Sequence, residues 1–322
     1  MPVSPAVLIL ECAGGPVIPS ETALKTACFG ATILRASSTE EACGLIQNLK
    51  SAPNLIAVVS NTPSAEVFKS ARTSRPNAAT ILLTSTTILV YNDALGSQDT
   101  NLLDHVIANL SAEWMIDQLR ITLQKILRKD IFGVEKYLYL ETPVQTRVVT
   151  SSSDRDQCNS DVQKWVESCG LSRNIGRLAF GITEELLMNA IYDAPVAGGR
   201  LHYETMERTQ HRHLKDDEYS KLRFGCDGRT LALSIQDPFG AFRQEKWNQY
   251  TRKILKRDDA DGLMDTKKGG AGLGIFKMLY SSHGIICNVD PGKITEVIVL
   301  IDVAHPVRDF GIMPRSIHYF KT

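Results

Sequence analysis

The sequence predicts two domains in succession: an α/β domain built on a parallel sheet, then an α+β domain with antiparallel strands. Three observations carry this reading. The 322 residues give room for two domains of ordinary size. In the first 130 residues, short apolar runs alternate with helical patterns, as in a parallel sheet covered on both faces. From about residue 150, two helical patterns come first and several strands follow, which is a mixed α+β order.

In the first half, Ala6–Leu10 (AVLIL) is a short buried strand and Ala31–Arg35 a second. Thr39–Leu49 follows as a helix with Ser38 as its cap. Leu55–Val59, Thr80–Leu83 and the weaker His105–Ala108 are further strands. Ala112–Arg128 is a long amphipathic helix, with Trp114, Ile116, Leu119, Leu123, Ile126 and Leu127 on its apolar face. The domain boundaries expected are 1–130, a linker over 131–145, a second domain over 146–307 and a tail over 308–322.

The second half opens with a strand at Thr146–Val149. The polar cluster Ser151–Asp154 is a helix start. Helices are expected over about 155–169 and 173–193. Strands are expected at Arg200–Thr205, Lys221–Cys226 and Leu231–Gln236, then a helix after Gly274 and strands near 285–289 and 294–302. The tail carries Phe310, Tyr319 and Phe320, which suit docking either on the fold or on another chain.

Composition excludes some classes. Lys plus Arg equals Asp plus Glu at 36 each, so net charge gives no sign of a nucleic-acid partner. No apolar run reaches the roughly 18 to 20 residues of a membrane span. Seven scattered cysteines without a CxxC pair argue against a zinc site or a disulfide framework. With no signal-peptide pattern at Met1-Pro2-Val3, a soluble protein in the reducing cytoplasm is expected.

The segment Pro53-Asn54-Leu55-Ile56-Ala57-Val58-Val59-Ser60-Asn61-Thr62-Pro63 resembles the third strand and following loop of response-regulator receiver domains. Ala79–Ser85 resembles the fourth strand, with Thr84 at the switch position. The resemblance implies a flavodoxin-like fold. Phosphoryl transfer there needs an acceptor aspartate, an acidic pair for Mg²⁺ and a lysine. Val59 stands at the acceptor place, Cys12 beside Glu11 breaks the acidic pair, and Ala108-Asn109 replaces Lys-Pro. A register slip would put Asn61 at the acceptor place, with no gain in chemistry. The expectation is a pseudo-receiver serving binding or dimerisation, with an unrelated flavodoxin-like domain as the alternative.

Three boxes mark the second half. In Thr183-Glu184-Glu185-Leu186-Leu187-Met188-Asn189-Ala190, Glu185 and Asn189 share one helix face. A carboxylate there can take a proton, and a carboxamide oxygen one turn away can hold Mg²⁺. Leu231–Gly240 is an apolar strand ending in Asp237. Gly269-Gly270-Ala271-Gly272-Leu273-Gly274-Ile275 is a bare-backbone run before an apolar helix, suited to phosphate. The first two boxes have a bland reading, a helix with two polar residues and an Asp-Pro turn. The third is neither a Rossmann fingerprint, since GxGxxG is absent, nor a Walker A loop, since no GKS or GKT follows. The intervals of 48 residues from Asn189 to Asp237 and 33 from Asp237 to Gly270 join them into one pattern.

That pattern resembles the Bergerat fold of the GHKL ATPases, which include gyrase, MutL, histidine kinases and anti-sigma serine kinases. The resemblance spans about 146–303. It implies an α/β sandwich that binds Mg·ATP, with Glu185 as catalytic base and Asn189 as Mg²⁺ ligand. It also implies nucleotide contacts from Asn189, Asp193, Asp237, Gly240, Lys267, Lys268, Gly270, Gly272, Gly274 and Thr295. Asp237 would accept from the adenine amino group. One departure stands out: Phe239 occupies the family's usual glycine place, and the glycine follows at Gly240. Phe242–Lys268, polar and charged, is expected to be the ATP lid.

The chain is most similar to the anti-sigma serine/threonine kinase branch, since no phosphoacceptor helix precedes the first box. The implied function is a cytoplasmic regulator that binds Mg·ATP and phosphorylates Ser or Thr of a protein partner. The alternative is a catalytically inactive ATP-binding scaffold. Either acts on proteins, a second copy of this chain included, and not on nucleic acid or membrane.

Overall fold

The computed structural model describes residues 4–28, 30–49, 54–86, 102–206, 210–255 and 273–322. The chain forms two compact units. One comprises Met1–Ile131 and Met313–His318, the other Phe132–Ile312 and Tyr319–Thr322. No helix among the described residues is long and apolar enough to cross a membrane.

In the first unit, β1 (Pro5–Leu10), α1 (Glu21–Ala27), β2 (Thr32–Ala36), α2 (Thr39–Asn48) and β3 (Asn54–Ser60) come in turn. They are followed by α3 (Ala65–Ser74), β4 (Ala79–Thr84), β5 (His105–Ala108) and α4 (Ala112–Arg128). The strands pair in parallel in the order β2-β1-β3-β4-β5. Their near-continuous apolar runs follow from burial on both faces. Alternate residues of β1 face opposite layers. Val7 and Ile9 pack with Leu24 of α1 and Met115, Leu119 and Leu123 of α4. Leu8 and Leu10 pack with Ile46 of α2 and Val67 and Phe68 of α3. The hydroxyls of Ser20, Ser38 and Ser111 cap α1, α2 and α4 by accepting from Ala23, Glu41 and Trp114 N–H.

Val59 is buried in the first of these layers. Beyond the strand ends, Asn61 ties the loops together. Its Oδ1 accepts from Cys12 N–H at 2.8 Å, and its Nδ2 donates to the carbonyls of Cys12 and Pro16 at 3.0 and 3.1 Å. Glu11 pairs with Arg35 at 3.1 Å, and Thr84 donates to Thr86 O at 3.1 Å. The side chains of Asn61 and Thr84 at this end of the sheet are therefore spent on loop backbone, and that of Glu11 on Arg35.

The C-terminal segment does not form a separate tail over 308–322. It contains a 3₁₀ turn at Val307–Ile312 and the strand β11 (Ser316–Lys321). In the first unit, Ile317 and His318 pair antiparallel with Val106 and His105 of β5. The Nδ1 atoms of His318 and His105 lie 3.4 Å apart. Burial, and then the charge of nearby Lys125, pushes His105 well below the usual histidine range; burial, His105 and Lys125 do the same to His318.

The second unit contains β6 (Val144–Val149), α5 (Asp154–Ser168), α6 (Arg173–Met188), α7 (Ala194–Ala197), β7 (Ser220–Cys226) and β8 (Thr230–Asp237). Then come α8 (Gln244–Leu255), α9 (Leu273–Tyr280), β9 (Gly284–Asp290) and β10 (Ile294–Asp302). The strands pair antiparallel in the order β9-β10-β8-β7-β6. Helices α5 and α6 pack on each other, and Trp165 of α5 meets Phe224 of β7 edge-on at 4.9 Å.

Two expectations are corrected here. Residues 131–145 do not form a free linker: Gly133 N–H donates to the buried Glu296 at 2.9 Å, and Tyr139 N–H to Asp227 at 2.9 Å. Arg200–Thr205 is not a strand. Gly199 turns the chain at φ +85°, and Leu201–Tyr203 is a 3₁₀ turn. Arg200 is held there by Glu218 at 2.9 Å and Asp217 at 2.7 Å.

Replacing Asn61 by alanine removes three bonds at a buried loop junction. The first unit is expected to lose about 2 to 3 kcal/mol, read as a lower urea midpoint of the full chain. An unchanged midpoint would show those bonds to be dispensable.

Candidate functional site

Helix α6 starts at Ser172, whose hydroxyl accepts from Ile175 N–H at 3.4 Å. Ile175, Ala179, Ile182 and Leu186 form its buried stripe. Neighbouring Glu184 and Glu185 point to different partners, since successive helical residues lie about 100° apart. Glu184 bonds Arg155 and, at 2.7 Å, Asn159, both on α5. Glu185 turns to α9, where Lys277 Nζ lies 2.7 Å away. Gly274 makes the room: a Cβ there would sit 2.6 Å from Glu185 Oε2.

The helix expected to run to residue 193 changes pitch at its end. Asn189–Asp193 is a π turn, in which Ala194 N–H donates to Asn189 O, and α7 follows. Pro195 explains the change. It has no N–H to give Ile191 O four residues back, and its ring crowds that carbonyl. Arg212 supplies the missing donors. Its buried guanidinium donates to Ile191 O at 2.8 Å, Tyr192 O at 3.1 Å and Tyr203 O at 3.1 Å. The rings of Tyr192 and Tyr203 lie 4.7 and 4.5 Å from it. π turns of this kind often occur at functional sites.

Asp237 ends β8, opposite Thr295 of β10. Its Oδ1 accepts from Phe239 N–H at 3.0 Å. Burial pushes the carboxyl up from 3.8 to about 7, against the opposing pull of the Phe239 and Gly240 backbone and the Thr295 hydroxyl. The Phe239 ring packs on Gly198 at the end of α7, where a Cβ would come within 2.5 Å of it. Gly240, at φ +56°, packs against the β9–β10 turn around Asp290 and Gly292, and any Cβ would collide there.

These elements enclose a cavity of about 70 Å³. Its polar wall comes from Asn189, Asp193, Asp237 and Thr295, with Gly274 at the start of α9. Ala190, Ala194, Ala197 and Ala241 make much of the rest small and apolar. Five of the expected nucleotide contacts therefore share one cavity. Glu185 and Gly240 do not line it: the first is turned to Lys277 and the second serves the turn. Lys267, Lys268, Gly270 and Gly272 lie outside the described residues. Among the described residues, no group of three or more His, Cys, Asp or Glu side chains is placed to hold a metal ion.

The sequence reading also missed part of the wall. Phe242, Lys246, Trp247 and Tyr250 line the cavity, and the last three belong to α8. The described part of the expected lid contains the helix α8, with Trp247 and Tyr250 buried, and the remainder of that expectation, 256–268, lies outside the described residues. The spacing of Trp247 and Tyr250, three apart, is the signal available in the sequence.

No family model matches the chain, and no curated protein matches it. Among solved structures it is similar to the crystal structure of the SiaB–SiaC complex from Pseudomonas aeruginosa. The identity is 12% and the TM-score 0.35, over 56% of this chain and 98% of that one. At that level the likeness says nothing of what this chain binds.

Two outcomes follow from the site. Arg212→Lys keeps the charge but loses the fork that serves three carbonyls. It is expected to cost about 2 to 3 kcal/mol in urea unfolding; wild-type stability in this variant would refute the role given to Arg212. Asp237 binds its proton more tightly folded than unfolded, so its contribution is complete below 3.8 and is lost as pH rises to about 7. Asp237→Asn lacks this titration and should gain on wild type by up to about 4 kcal/mol across that window. Parallel stability–pH curves for the two would contradict the shift.

Proposed function

We propose that the second unit is a Bergerat-type domain that binds Mg·ATP in the cavity between the π turn and β8, and that the chain is a signalling regulator acting on a protein partner. The observation that carries this reading is the convergence of Asn189, Asp193, Asp237, Gly274 and Thr295 on one largely apolar cavity. An apolar wall with a few converging polar groups and a perturbed acid is the chemical lining expected of a small-molecule site.

The donor set suits an adenine nucleotide. Ionised Asp237 would accept an exocyclic amine N–H, with Thr295 beside it. Asn189 offers a carboxamide oxygen, a hard ligand suited to Mg²⁺ carried with phosphates. The start of α9 at Gly274 favours the anionic end. Bound Mg²⁺ would supply charge neutralisation at the phosphates. The sequence resemblance further implies phosphoryl transfer to Ser or Thr, with Glu185 as base.

One observation favours the second reading, an ATP-binding scaffold without turnover. Glu185 is ion-paired with Lys277 and off the cavity wall. As a base it would first have to leave that lysine.

Calorimetric titration of the full chain with ATP and Mg²⁺ tests the proposal. Binding is expected, and Asp237→Asn should weaken it at least about ten-fold. Affinity should also fall as pH drops below about 7, because the proton on Asp237 then occupies the accepting oxygen. Undetectable binding, or an unaffected Asp237→Asn variant, would sink the assignment. Glu185→Gln separates the two readings: loss of phosphoryl transfer with retained binding marks a kinase, whereas a wild type that binds and never transfers marks a scaffold.

A further inference from the structure

The cavity as it stands is too small for the ligand its polar wall suits. Its volume is about 70 Å³. An apolar cavity of roughly 150 Å³ is what holds a single benzene, and a purine is larger. What closes the space is α8. Trp247 and Tyr250 line the cavity and are only 3% and 7% exposed. Phe242, just before the helix, stacks with Tyr250 at 6.3 Å and meets Trp247 edge-on at 6.1 Å. Burial, with Asp193 adding, raises the Tyr250 phenol, as expected for a ring pressed toward that carboxylate.

The aromatic cluster is fastened from outside α8. Tyr319, on β11, is 4% exposed, and its hydroxyl donates to Phe242 O at 3.0 Å. Its ring lies 6.3 Å from Trp247. The bond falls on the residue where the chain enters α8, so it restrains the helix at its base.

We infer that α8 is a removable plug over the nucleotide site, with Trp247 and Tyr250 filling space that a base must take and Tyr319 latching the helix shut. This rests on the reading of the cavity as a nucleotide site. The site is then autoinhibited, and measured affinity is the intrinsic affinity scaled by the fraction of molecules with α8 displaced. Trp247 and Tyr250 compete with the ligand; they are not part of its binding wall. Whatever frees Phe242 from Tyr319 would raise the affinity of the site.

Tyr319→Phe removes the latch bond and keeps the ring. One hydrogen bond corresponds to about a five-fold change in the closed-to-open ratio. Amide exchange across residues 244–255 of the ligand-free full chain should quicken by about that factor, and Mg·ATP should bind about five-fold more tightly. Trp247→Ala should also tighten binding. Weaker binding by Trp247→Ala, with its fold intact by circular dichroism, would overturn the plug and make Trp247 a ligand wall. Unchanged exchange in Tyr319→Phe would overturn the latch, even if wild type binds Mg·ATP. Faster exchange in Tyr319→Phe, with no Mg·ATP binding by any form, would uphold the latch and reject the nucleotide reading alone.

Discussion

The carbonyl of Ile191 loses its helical donor because Pro195 stands four residues on, and a buried carbonyl without a donor is costly. Arg212 meets that cost with a guanidinium held between two tyrosine rings, reaching three carbonyls at once. The change to π pitch over Asn189–Asp193 depends on this arrangement. So does the placement of Asn189 and Asp193 on one cavity wall, facing the end of β8. Lysine is a poor substitute, because its three donors radiate from one nitrogen, whereas Arg212 serves these carbonyls from two nitrogens of a planar fork.

Around that anchor, small residues and bulky ones are matched. Gly198 leaves space for the Phe239 ring, so the phenylalanine two residues after Asp237 stays out of the cavity. Gly274 leaves space for Glu185, which then reaches Lys277. Gly240 lets the chain pass close to the β9–β10 turn. In each case the glycine answers a neighbour that is distant in sequence. Asp237, left among apolar groups at the strand end, keeps its proton to about pH 7. Protonation of that carboxyl therefore makes stability depend on pH.

Much of this is legible in the residues alone. The strands of the first unit can be read because burial on both faces demands uninterrupted apolar runs, as in Leu55–Val59 and Ile81–Leu83. The cap at Ser38 and the strand end at Asp237 are local signals, and local signals survive without knowledge of the fold. The expected strand at Arg200–Thr205 fails for the opposite reason. Its residues answer to Glu218 and Arg212, which the local pattern does not contain. The same holds for the expected tail, whose Ile317 and His318 find their partner strand more than 200 positions away.

The sequence by itself determined the order and type of most elements, and which acid, amide and glycine are candidates for one site. It could do so because helix and strand periods and chemical character are properties of short segments. Only the tertiary structure decided that Glu185 faces a lysine and not the cavity, that Gly240 serves a turn, and that Trp247 and Tyr250 of α8 line the same cavity as Asn189 and Asp237. Those outcomes depend on which distant side chain arrives next to which, a matter of packing that no local pattern encodes.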